Sequence, residues 1–271
     1  MKIAVFTRPE DADRIGAEIL LHIVQSKAHP KLGLATGSSP VGIYRELVNL
    51  GKTRSVSFQH VSAYNLDEYI GLSWKHPQSY AAFMRDHLFK YIDIDPARIH
   101  IPDGTADSAE EECHRYEALL HEAGSLDVQL LGIGLNGHIG FNEPGTDLSC
   151  ETHIVALTEE TRRANAKYFS EEEPIPRHAI TMGIGPIMRA SKVLFIAHGK
   201  EKSSIVHQAF TGPVTTNCPG SLLQLHSDTV VLLDEEAAAE LTLGDKPAFR
   251  MFRNKRIDFV YDPEPEAFIC V

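Results

Sequence analysis

The sequence predicts an α/β fold with a mostly parallel central sheet covered by helices on both faces. Three observations carry this. Short apolar, β-branched runs alternate with segments of helical period. The runs are hydrophobic almost throughout, as strands buried on both faces must be. Several runs are followed directly by glycine-rich or unusually polar residues, at the strand ends where ligands bind in such sheets.

The strand candidates are IAVFT (3–7), LGLAT (32–36), VSAYN (61–65), DVQLLGIG (127–134), HIVAL (153–157), KVLFIAHG (192–199) and TVVLLD (229–234). Helices are expected between them. In PVGIYRELVNLG, Pro40 suits a first helical turn, and Val41, Tyr44, Leu47 and Val48 share a face. In SAEEECHRYEALLHEAG, Ser108 and Glu111 form a capping box, Cys113, Tyr116, Leu119 and Leu120 make the buried stripe, and Gly124 stops the helix. Thr161 to Phe169 and Glu201 to Phe210 read as further helices, and the segment after Leu243 as a final helix or strand and tail.

With 271 residues, 43% of them hydrophobic and 23% charged, the chain can bury a full core. No linker, repeat or low-complexity stretch divides it, so residues 1–271 read as a single α/β domain. A net charge of −11 opposes general binding to nucleic acid or anionic membranes. Cys113, Cys150, Cys218 and Cys270 are scattered without CxxC spacing, which points to free thiols and away from a disulfide framework or zinc site. No apolar run approaches a membrane span, and acids and Pro9 interrupt the N-terminus too early for a signal peptide. A soluble cytoplasmic protein is expected, with neither nucleic-acid nor membrane partner.

Four strand ends carry chemistry. LATGSSP (34–40) places Thr36, Gly37, Ser38 and Ser39 between a strand and a helix N-terminus, where backbone N–H groups and hydroxyls can cradle a phosphate. It is neither a Walker loop nor a GxGxxG fingerprint, and a plain serine-capped turn would look similar. In YNLDEYIGL (64–72), Asp67 and Glu68 lie beyond a strand among apolar neighbours, which raise a carboxylate's proton affinity toward that of a general base. Adjacent acids in an extended segment point apart, so one of the two faces the site. LGIGLNGHIGFNEPG (131–145) holds five glycines with His138 and Glu143. Their spacing does not match paired metal ligands on a helix; a histidine oriented by a glutamate, serving as acid and then base, fits it, as does a buried structural histidine. In IAHGKEKSSIV (196–206), Lys200 and Lys202 stand at a helix start, where the dipole disfavours cations and an anionic partner would compensate. Arg162, Arg163 and Lys167 in TRRANAKYF are further basic candidates, the last two sharing a helical face. An anion cradle, cations, an isolated carboxylate and a His/Glu pair, without a nucleophile motif, suit proton transfer on a phosphorylated small molecule.

In order and spacing, LATGSSP, NLDEYIGL, GLNGHIGFNEPG, TRRANAKYF, AITMGIG and HGKEK resemble the glucosamine-6-phosphate deaminase family, over about residues 3–240. The resemblance implies a three-layer Rossmann-like fold, no metal or organic cofactor, and conversion of glucosamine 6-phosphate and water to fructose 6-phosphate and ammonia. It implies that Asp67 moves a proton from C2 to C1, that His138 opens the pyranose ring, and that Glu143 orients His138. Thr36, Gly37, Ser38, Ser39 and Lys202 then correspond to the phosphate cradle, with Lys167 where arginine is common. Asn136 stands where many members carry aspartate; asparagine cannot accept a proton, so it serves as a hydrogen-bonding partner of His138 or of its loop. Some members of the family are oligomers activated by N-acetylglucosamine 6-phosphate through basic residues after the NEP segment. The corresponding ETHIVALT (151–158) has His153 and Val155 and few cations, so weak or absent activation is expected and saturating amounts of that sugar should leave activity within a few-fold. A 6-phosphogluconolactonase-like hydrolase and a non-catalytic sugar-phosphate sensor are the alternatives, and monomer and homo-oligomer both stay open.

Overall fold

The structure is a computed structural model that describes residues 1–166, 169, 175–241 and 251–254. Its main sheet has eight strands: β1 (Lys2–Phe6), β2 (Lys31–Leu34), β3 (Ser62–Asn65), β5 (Ile99–His100), β6 (Val128–Leu131), β9 (Val193–Ala197), β10 (Thr229–Asp234) and β11 (Met251–Asn254). They lie in the order β11-β1-β10-β9-β6-β2-β3-β5, and every pair is parallel. The helices are α1 (Pro9–Ser26), α2 (Val41–Thr53), α3 (Tyr80–His87), α4 (Ala109–Ala123), α5 (Glu159–Ala166), α6 (Ile184–Arg189) and α7 (Ser203–Thr211). The expected α/β architecture, a parallel sheet flanked by helices, is the observed one. No helix among the described residues is long and apolar enough to cross a membrane.

Local chemistry explains the helix ends. Ser108 Oγ accepts from the Glu111 N–H at 3.1 Å, one half of the expected capping box, while its hydroxyl turns to Glu110 at 3.3 Å. At the other end of α4, Gly124 takes φ 72° and closes on the Leu120 and His121 carbonyls. Tyr116 and Leu120 are fully buried on the α4 stripe, but Leu119 is only partly so. The expected helix from Glu201 divides into a 3-10 turn at Lys200–Lys202 and α7.

Two expectations change. HIVAL is not in the parallel sheet. Its residues His153–Ala156 form β7 of a second, antiparallel sheet in the order β4-β8-β7, where β4 is Asp67–Tyr69 and β8 is His178–Thr181. NLDEY is likewise a strand edge, with Asp67 paired to Thr181. Each of these strands has three or four residues, too short for periodicity to separate from a loop. The chain moves from β2 outward to β3 and β5, whereas β6, β9 and β10 lie on the other side of β2. That reversal opens a crevice at the carboxyl ends of β9, β6, β2 and β3, four adjacent strands.

Candidate active site

One cavity of about 570 Å³ occupies this crevice. Thr36, Gly37, Ser38 and Ser39 line it after β2, Asp67 after β3, Asn136 and His138 after β6, and Lys202 after β9. The four strand ends picked from the sequence thus meet in one place. Lys167 lies outside the described residues. Arg163 turns away, ion-paired on the exposed face of α5 with Glu159 at 2.9 Å.

The phosphate-loop candidate is held from below. The Tyr44 hydroxyl, buried on α2, donates to the Ala35 carbonyl at 2.5 Å and accepts from the Ala35 N–H at 3.2 Å. Gly37 has φ +100°, a conformation other residues rarely adopt, so the chain can fold back over the helix start. Across the cavity, Lys202 Nζ donates to the Ile133 carbonyl at 2.8 Å, which ties the β9 end to the loop after β6.

The two adjacent acids divide as expected. Glu68 is 2% exposed and accepts from the N–H groups of Tyr69, Tyr80 and Ala81 at 2.8–2.9 Å, so it anchors the N-terminus of α3. Burial still pushes its carboxyl up to about 7 against those donors. Asp67, 5% exposed, turns into the cavity instead. Burial and the neighbouring Glu68 charge push it up to about 8, with the Phe141 N–H pulling the other way. The burial comes from an aromatic wall that sequence reasoning missed. Tyr69 and Tyr80 lie 4.7 Å apart by ring centroids, and Phe141 stands 5.6 and 5.9 Å from them. Only the chain's return through α3 brings Tyr80 there.

The loop after β6 aims His138. Its Nδ1 lies 3.4 Å from Glu143 Oε2, close enough for charge attraction although not aligned as a full hydrogen bond. Asn136 resolves what its residue type left open. Its Nδ2 donates to Glu143 Oε2 at 2.6 Å, while its Oδ1 accepts from the His138 N–H at 3.2 Å. It therefore braces both members of the pair. Burial pushes Glu143 up, but His138, Thr161 and Asn136 outweigh it and hold its carboxyl below the usual value. A side chain on Gly134 would place Cβ 2.3 Å from the His138 ring, so only glycine leaves this imidazole its position. The far end of the loop is pinned by β8. Thr181 Oγ1 accepts from the Phe141 N–H at 3.1 Å, and Asn142 donates to the Met182 carbonyl at 2.9 Å. AITMGIG thus supports the loop from beneath.

The arrangement can bind an anion at one end and move protons at the other. The family model for glucosamine-6-phosphate isomerases and 6-phosphogluconolactonase matches residues 10–232. The chain belongs to this family. A glucosamine-6-phosphate deaminase of Thermoanaerobacter sp. (strain X514) is 45% identical over 239 residues, 88% of this chain and 94% of that one. Glucosamine-6-phosphate deaminase 1 of Bacillus subtilis (strain 168) is 46% identical over 88% and 99% of the two chains. The solved structure of a monomeric glucosamine-6-phosphate deaminase superposes with TM-score 0.86 at 46% identity, covering 89% of this chain and all of that one. A 6-phosphogluconolactonase from Thermotoga maritima shares the fold, with TM-score 0.69 at 17% identity over 86% of this chain and all of that one. Within the family, identity sides with the deaminases.

Proposed function

We propose that the chain deaminates glucosamine 6-phosphate, giving fructose 6-phosphate and ammonia. The observation that carries this is a buried carboxylate, Asp67, in the same cavity as the 36–39 loop and His138, which Glu143 backs at 3.4 Å. The degree of identity to deaminases over most of the chain supports it.

The phosphate sits on Thr36–Ser39 with Lys202 beside it, leaving the sugar ring toward His138. His138 takes the C1 hydroxyl proton and delivers one to the ring oxygen, and the open aldehyde results. The new C1 carbonyl acidifies the C2 hydrogen, which Asp67 removes and returns at C1, while the substrate's ammonium gives up a proton to the C1 oxygen. The double bond then lies between C2 and nitrogen, and water adds there and releases ammonia. The amine is the substrate's own leaving group, so no nucleophilic side chain is needed. Asn136 and Glu143 hold His138 in position for the first step. We infer a cytoplasmic setting from the acidic charge and the scattered cysteines.

Incubation with glucosamine 6-phosphate should release ammonium and fructose 6-phosphate in equal amounts. Hydrolysis of 6-phosphogluconolactone without ammonium release would overturn the reading in favour of a lactonase. Lys202→Ala should raise KM on the order of tenfold and leave kcat within a few-fold, because the only part of the substrate it meets is the non-reacting phosphate. A fall confined to kcat would remove Lys202 from that role.

A further inference from the structure

Both carboxylate oxygens of Glu143 are committed, and to different elements. Oε2 accepts from Asn136 and faces His138, inside the same loop. Oε1 accepts a 2.7 Å hydrogen bond from Thr161 Oγ1, which belongs to α5. Thr161 is 5% exposed and also lines the cavity. It is held in turn by Thr158, whose hydroxyl caps α5: Thr158 Oγ1 accepts from the Thr161 N–H at 3.2 Å and donates to Thr161 Oγ1 at 3.0 Å. That leaves the single proton of the Thr161 hydroxyl for Glu143. A β-branched side chain at a helix start has few rotamers, so the hydroxyl's direction follows the seating of α5.

We propose that Thr161 is a positioning residue whose hydroxyl fixes Glu143 against His138, so that the pair is held ready for proton transfer. This rests on the roles given to His138 and Glu143 above. Among the described residues, His138 is the ionisable group acting on Glu143, and Thr161 and Asn136 are its neutral donors. Without the Thr161 donor, Glu143 holds its charge less firmly and one oxygen is free to swing away from the imidazole.

The test uses Thr161→Val, Thr161→Ser and Thr161→Ala in the full chain. Thr161→Val should lower kcat on the order of tenfold with KM within about twofold, since a charge-assisted hydrogen bond is lost away from the phosphate. The Glu143 carboxyl, followed by ¹³C NMR titration, should move upward by about one pH unit. Thr161→Ser should keep both properties near the parent. Thr161→Ala, which buries no second methyl against the carboxylate, should repeat the titration shift even if the valine chain folds poorly. An unmoved Glu143 titration in Thr161→Ala, or unaltered kcat in a folded Thr161→Val, would overturn the inference. Glu143→Gln with parental turnover would instead remove the reading on which it rests.

Discussion

Asp67→Asn should lower turnover of glucosamine 6-phosphate by at least about a thousandfold while leaving phosphate binding within a few-fold. Asparagine keeps the shape of the side chain, and the Phe141 N–H stays on Thr181 Oγ1, so the loop need not shift. It cannot take the C2 proton, and neither Glu68 nor Glu143 is free to replace it. Glu68 is locked on α3 by three N–H groups, and Glu143 is committed to Asn136 and Thr161. Ammonium release and C2 hydrogen exchange with solvent should fail together. Near-parental turnover would show that the base lies elsewhere.

The same carboxyl sets a pH dependence whose sign can be worked out. Burial and Glu68 raise Asp67 to about 8, so the free enzyme holds it mostly neutral at pH 7. A base must be ionised to act; kcat/KM should therefore climb through the neutral range and level off above about 8. Stability runs the other way. Between the ordinary carboxylate range and pH 8 the folded state keeps a proton that the unfolded chain has released, so this group's contribution to stability falls as pH rises. Asp67→Asn removes that loss. Its Tm at pH 8 should exceed the parent's, even as activity disappears. A lower Tm at pH 8 would mean that the ionised aspartate is held by favourable contacts.

The sequence carried the parallel sheet because its strands are buried on both faces and read as unbroken apolar runs, such as TVVLLD, every residue of which is buried. It carried the site for a related reason: strand ends are where the fold delivers side chains to a ligand, and Asp67, His138 and Lys202 each follow one. The antiparallel sheet was not legible. Asp67–Tyr69 is three residues long, and its partner β8 lies more than a hundred positions away. Tyr80 and Thr161 were missed because nothing local marks them. Tyr80 joins the aromatic wall through the return of α3, and Thr161 reaches Glu143 through the docking of α5. The role of Asn136 could be narrowed by chemistry alone to hydrogen bonding, but only the fold shows that it braces Glu143 and His138 at once.

His138→Gln should lower kcat on the order of a hundredfold, with a signature that separates it from the aspartate variant. The C2 hydrogen becomes acidic only after C1 is a free carbonyl, so ring opening must come first. Glutamine can fill much of the imidazole's space beside Gly134 and donate a hydrogen bond to Glu143, but it cannot both give and take a proton. Ring opening then becomes the slow step. With substrate deuterated at C2, a parent enzyme limited by C2–H cleavage shows a primary isotope effect on kcat. In His138→Gln that effect should collapse toward one, because the slowed step breaks no bond at C2. In Asp67→Asn residual turnover should retain it. Retention of the full isotope effect in a slowed His138→Gln would place this histidine at the C2 transfer, and the division of labour between the two strand ends would have to be redrawn.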